Sequence, residues 1–346
     1  LRRDIMNHLA GGDPSVEVKG IVFCLDVLPE TVYKAAELGC NVLVSHHPLL
    51  FRPLKRLVSG SYVQDTFRLL VKHDINYIAA HTNLDFVTVS KALCEKAGAH
   101  FQRPLKSVDG ATLSKVVVFV PDGHEQDVID AIFAAGAGVI GDYDECSFSV
   151  KGEGTFRPGE GTTPFLGTHG KREAAQEKRF EVVVPTALAA SVANAARNAH
   201  PYEEMAYDIY PLDNKDPRYG FGAIGKYEPA LSAKDLITGL KERLGLECVH
   251  VASFDESKSI RKVAFAGGSA FDCYRSAKSS RCDAFVVGEA KYHELFESHY
   301  DNMLTVVVGH GPSEFPSVEH LSALLSKHFP DIDVHTIKPQ YPTETM

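Results

Sequence analysis

His46 and His47 are adjacent in the stretch Asn41-Val42-Leu43-Val44-Ser45-His46-His47-Pro48. Neutral imidazoles just beyond a short apolar run can hold a transition metal. A His-His-Pro turn alone is more often an ordinary polar strand end. Two further runs make the pair meaningful. Asn76-Tyr77-Ile78-Ala79-Ala80 ends in His81-Thr82-Asn83-Leu84-Asp85. Leu304-Thr305-Val306-Val307-Val308 ends in Gly309-His310-Gly311-Pro312-Ser313-Glu314. In both, a carboxylate follows its histidine by four residues. Strands of one parallel sheet end on one edge, where ligand sites of open α/β sheets lie. Such a sheet would bring His46, His47, Asp85, His310 and Glu314 together.

Three imidazoles and two carboxylates, with no thiolate, do not resemble a structural zinc site. The count is large for one catalytic zinc. It is natural for two metals about 3.5–4 Å apart that share a bridging carboxylate and activate a water. The donor types suit Zn, Fe or Mn and do not choose among them. Asp26 also falls at a strand end; it could orient a ligand, but capping the following helix is the commoner role. Gly267-Gly268-Ser269 follows another strand-like run, and its backbone N–H groups could meet an anion, although such turns also form for steric reasons. No GxxxxGK[ST] loop or Gly-x-Ser-x-Gly elbow is present, so a metal-activated water is the expected nucleophile.

The elements that would position these groups form a near-repeat. The first half reads strand Ile21 to Cys24, helix Glu30 to Leu38, strand Val42 to Val44, helix Tyr62 to Lys72 and strand Tyr77 to Ala80. The last third reads strand Lys262 to Ala266, helix Phe271 to Lys278, strand Ala284 to Val287, helix Tyr292 to His299 and strand Leu304 to Val308. Crossover connections favour parallel pairing. The expected fold class is α/β, with two similar βαβαβ halves, residues 1–112 and 214–346, around one metal site.

Between them the pattern becomes strand Lys115 to Val120, helix Gln126 to Ala135, strand Cys146 to Lys151, strand Arg179 to Val184, helix Leu188 to Ala199 and strand Met205 to Tyr210. That βαββαβ order suggests an inserted ferredoxin-like α+β domain at residues 113–213. His200-Pro201-Tyr202-Glu203-Glu204 could ligate a metal or recognise a small molecule. A helix-to-strand turn with a packed Tyr is the commoner reading.

At 346 residues, 44% hydrophobic and 23% charged, the chain can build two to three domains with real cores. The net charge of −9 gives no basic footprint, so nucleic acid is not an expected partner. Seven scattered cysteines without a CxxC pair suggest a reducing cytoplasm. No apolar run approaches the roughly 18 residues of a membrane span. The chain starts at Leu1 rather than Met, and a preceding natural segment is expected.

Ser45-His46-His47-Pro48-Leu49, His81 to Asp85, Gly267-Gly268-Ser269, Gly288-Glu289-Ala290-Lys291-Tyr292-His293 and Gly309 to Glu314 together resemble the Nif-three-like family, whose bacterial members are commonly named GTP cyclohydrolase 1 type 2 homologues. Phe156-Arg157-Pro158-Gly159 and His200 to Glu204 fit the P-two-like or CutA-like insert of its longer members. The resemblance implies a dinuclear site in a toroidal homohexamer. His47 and Asp85 would bind one metal, His46 and His310 the other, and Glu314 would bridge; His81 would sit nearby. Relatives usually carry Trp-Asp-Asn early, absent here, and Gly-Asp where this chain has Gly288-Glu289, which bears on a neighbouring contact. The implied function is hydrolysis of a phosphorylated or nucleotide-like small molecule. A non-enzymatic metal-binding regulator or interaction scaffold is the alternative, and a purely structural metal the third.

Overall fold

The computed structural model describes residues 10–13, 15–108 and 110–341. They divide into two compact units, residues 110–216 and the remainder. The cysteines are free, and among the described residues no helix is long and apolar enough to cross a membrane.

The larger unit is mixed α/β with two sheets. The first has the strand order Ala10–Gly11, Asn76–Ala79, Val42–Ser45, Gly20–Cys24, Asp333–Thr336. All its pairings are parallel except that of Ala10–Gly11. The central strands are near-continuous apolar runs because both faces are covered. Helices Pro29–Glu37 and Tyr62–Lys72 make the crossovers. Val22, Val32, Leu43, Leu70 and Tyr77 pack on one face. Cys24 lies opposite Ser45, and Ser45 opposite Ala79. Three strands therefore stop at one level, and the residues after them share an edge.

The second sheet has the order His250–Ala252, Leu304–Val307, Ala284–Val287, Ser259–Ala266, Gly220–Ser232, His100–Ser107. Its three middle-to-edge strands from Ser259–Ala266 to Leu304–Val307 are parallel, with Ala266, Val287 and Val307 in register. Phe265, Val286, Val306 and Leu240 fill one side, and Phe285, Phe271 and Tyr274 the other.

The histidine-bearing strands thus divide between two sheets, Val42–Ser45 and Asn76–Ala79 in the first and Leu304–Val307 in the second. Short apolar runs reveal strands but not which sheet a strand joins. Helix His310–His328 makes the link. It begins where Leu304–Val307 leaves the second sheet, and its Val318, Phe315, Leu321 and Leu325 pack on Ile21, Phe23 and Val42 of the first. Strand Asp333–Thr336 then pairs with Gly20–Cys24.

The smaller unit has one antiparallel sheet, order Ser147–Phe156, Glu173–Pro185, Thr112–Pro121, Tyr207–Lys215. Helices Glu125–Ala134 and Ala189–Ala199 bury Val128, Ile132, Val192 and Ala196 against Val116, Val118, Val182 and Val184.

The 2%-exposed Val318 joins the long helix to the first sheet. Val318→Ala should cost about 1–3 kcal/mol through lost burial and a residual cavity. Denaturant unfolding of the variant beside the parent measures this; an unchanged midpoint would contradict the packing.

Candidate metal centre

Strands Gly20–Cys24, Val42–Ser45 and Asn76–Ala79 each deliver polar residues to the shared edge. Backbone N–H groups of His46 and His47 donate to the Cys24 and Leu25 carbonyls at 3.2 and 3.0 Å. The His47 carbonyl accepts from the hydroxyls of Ser45, 2.6 Å, and Tyr77, 3.2 Å. The Leu49 N–H donates to the Tyr77 phenol at 2.9 Å. Burial pushes the Tyr77 hydroxyl up to about 12, so it stays neutral. This buried clamp fixes the His-His-Pro turn. Tyr77 was legible in the sequence only as an apolar strand residue. Asp85 follows a short helical turn, Thr82–Leu84, and opens a wide π-type turn, Asp85–Val89. Such single wide turns are frequent at functional sites.

The second sheet contributes through helix His310–His328. His310 and Glu314, one turn apart, project from the same face. The glycines at the neighbouring strand ends make room for them. Gly268 has φ +68°, and a Cβ there would collide with the Glu314 Oε1. A Cβ at Gly288 would collide with the Ser313 hydroxyl. Gly267 N–H donates to Ser90 Oγ at 3.2 Å and Gly268 N–H to Ser313 Oγ at 2.9 Å. The anion-binding reading of Gly267-Gly268-Ser269 is corrected accordingly. Two of its three backbone donors are already used, and the exposed Ser269 alone does not make a cradle. Close approach of Val89 to Gly267 and of Glu314 to Gly268 explains the glycines instead.

The donors converge on the Glu314 carboxylate. His46 Nε2 lies 3.7 Å from Oε1 and 3.6 Å from Asp85 Oδ1. His47 Nε2 and His310 Nε2 lie 3.0 and 3.1 Å from Oε2. These distances group His46 with Asp85 and His47 with His310, exchanging the adjacent histidines relative to the pairing implied by resemblance. His81 joins from the side, its ring 5.2 Å from that of His46 and 5.9 Å from that of Phe51.

The opposite ring nitrogens are held from behind. His46 Nδ1 is 2.9 Å from the Ala80 carbonyl, His47 Nδ1 2.8 Å from Asp26 Oδ1, and His310 Nδ1 3.3 Å from Glu289 Oε2. Metal-ligating histidines are oriented in this way. Asp26 therefore orients His47, and the helix-cap role is corrected: the cap of Pro29–Glu37 falls at Leu28. Glu289, despite its longer side chain, reaches His310.

Burial alone would lower the His47 imidazole, but the Asp26 and Glu314 carboxylates outweigh it and raise it to about 10. Glu314 raises His310, against burial. Burial would raise Glu314, yet His310, His46 and His47 hold it well below the usual carboxylate range. Burial pushes Asp85 up to about 6. Burial, with His46 and His47 nearby, lowers His81 to about 4, leaving it neutral at pH 7. The cluster balances its buried carboxylates with protons on imidazoles.

A divalent cation fits these residues. His46 Nε2 and Glu314 Oε2 are buried and make no hydrogen bond, although imidazole nitrogens stand close to that oxygen. Buried polar atoms without partners are costly, and lone pairs aimed at a common point suit a metal. His47, His310 and Glu314 form one group of possible ligands, and His46, His47 and His81 another.

A mixed α/β protein with a His/carboxylate cluster able to hold a metal ion is the class that fold and site define. The family Duf34/NIF3 (NGG1p interacting factor 3) matches residues 7–342, and the chain belongs to it. A protein of Halalkalibacterium halodurans named GTP cyclohydrolase 1 type 2 homolog is 34% identical over 306 residues, 88% of this chain and 82% of that protein. Its Bacillus subtilis namesake is 33% identical over 295 residues, covering 85% and 79%. The crystal structure of a Bacillus cereus protein related to NIF3 has a TM-score of 0.83 at 33% identity, over 97% of this chain and 90% of that one.

Because the raised His47 carries a proton below about pH 10, metal must displace it. Affinity for Zn or Mn should therefore rise with pH between about 6 and 9, by roughly tenfold per unit for each proton released. Calorimetry in buffers of different ionisation enthalpy counts the protons; zero release at pH 7.5 would contradict the charge balance. Asp26→Asn, which removes the carboxylate behind His47, should weaken metal binding by about 10–100-fold in the same titration.

Proposed function

We propose that His46 and Asp85 on one side, and His47 and His310 on the other, hold two divalent ions bridged by Glu314, with Zn, Fe or Mn as the candidates. The observation that carries this is the Glu314 carboxylate, one oxygen facing His46 and the other facing both His47 and His310. We infer a hydrolase acting on a phosphorylated or nucleotide-like small molecule. Bound ions would supply Lewis acidity and a nucleophilic water. The chain's own residues position the rest. Asp26 and Glu289 fix the rings of His47 and His310. Neutral His81 offers a lone pair beside them. The exposed stretch after His47 carries Arg52, Lys55 and Arg56, whose charges suit an anionic substrate. Phe51, edge-on to His81, anchors the start of that stretch by the cluster.

The parallel strand trios of the two sheets support reading the larger unit as two similar halves. The sheet order of residues 110–216 supports a ferredoxin-like insert. The family resemblance supports a homohexamer, and the free cysteines support a reducing cytoplasm. A second reading, a metal-binding regulator, draws on one observation: residues 110–216 form a separate unit with a cavity of their own.

The test is a panel of phosphoesters and nucleotides offered to protein loaded with Zn, Fe or Mn. Turnover of at least one substrate, falling by about 10²-fold or more in Asp85→Asn, is expected. No turnover in any metal form would reject the hydrolase and favour the regulator.

A further inference from the structure

The 110–216 unit holds a half-open cavity of about 460 Å³, within the ordinary size of small-molecule pockets. Its walls are aromatic: Phe119, Phe156, Phe165 and Tyr202. The Tyr202 ring lies 5.9 Å from that of Phe165 and 6.4 Å from that of Phe156. Three carboxylates, Glu177, Glu203 and Glu204, line it against one guanidinium, Arg157. Both sequence stretches unused by the metal centre, Phe156 to Gly159 and His200 to Glu204, meet here.

The cavity is pre-formed. Buried His200 sits with Nε2 2.9 Å from the Phe119 carbonyl, and its Nδ1 accepts from the Tyr202 N–H at 3.1 Å. Burial lowers its basicity; one nitrogen ties the ring to Phe119 and the other, as an acceptor, positions Tyr202. The Tyr202 hydroxyl donates to Glu177 Oε1 at 3.2 Å. Both Glu203 oxygens take the Thr163 N–H, at 2.9 and 3.0 Å, and tie the loop over the pocket. A Cβ at Gly154 would collide with Glu177 Oε2, so the glycine lets that carboxylate lie against the strand.

Aromatic faces carry a negative quadrupole and attract cations. Carboxylates in excess oppose anions and complement amines. We propose that this cavity binds a small organic cation with a flat apolar body, an aromatic amine or a protonated heterocycle. The proposal is independent of the hydrolase reading.

The chain contains no Trp, so an indole probe can be followed by its own fluorescence. Full-length protein is titrated with tryptamine, indole and indole-3-acetate, which share a ring and differ in charge. Tryptamine should bind with a Kd below about 1 mM, and both others at least about tenfold more weakly. Phe165→Ala and Glu177→Gln should each weaken tryptamine by roughly tenfold, while Glu314→Ala leaves it unchanged. Phe165 is half-exposed, so its truncation leaves the fold intact. Absence of tryptamine binding, equal binding of the neutral or anionic probe, or insensitivity to both pocket variants would overturn the proposal.

Discussion

The arrangement turns on one buried carboxylate. Glu314, 5% exposed, stands among three imidazoles delivered by two sheets. A carboxylate out of water is costly unless cations or donors surround it. His47 and His310 supply positive charge as protons, and the same geometry suits a metal in their place. Much of the surrounding architecture follows from admitting this side chain. Gly268 clears its approach and Gly288 makes room for the neighbouring Ser313, Ser90 and Ser313 satisfy the buried backbone donors of the turn, and helix His310–His328 carries it from one sheet to the other.

The first sheet answers with rigidity. Its aligned strand ends place Asp26, His46, His47 and His81 along one edge, and the Ser45–Tyr77 clamp stops the His-His-Pro turn from moving. Each of the three facing imidazoles has its rear nitrogen near an acceptor. A flexible cluster of the same residues would lose binding free energy to the ordering of five side chains; here that ordering is already part of the fold.

The chemistry-bearing residues were legible because they follow strong strand signals. Val42 to Val44 and Leu304 to Val308 are apolar runs that stop abruptly at histidine-bearing turns. Sheet membership was not legible, since pairing depends on long-range packing that periodicity does not encode. Helix His310–His328 was hidden by Gly311, Pro312 and Pro316, which read as loop. Strand His100–Ser107 was hidden by Gln102, Arg103 and Lys106, polar residues tolerated at a sheet edge. Asp26 and the Gly267-Gly268 turn each stayed open to two readings in the sequence for one reason: local convention, capping and anion binding, competes with distant partners, His47 for Asp26 and Glu314 for Gly268, that decide what they do.

The most direct test of this account is metal content, by mass spectrometry, of gently purified protein beside Glu314→Ala. About two ions per chain, falling sharply in the variant, is the predicted result. One ion or none per chain, unchanged by the substitution, would contradict a centre built around Glu314.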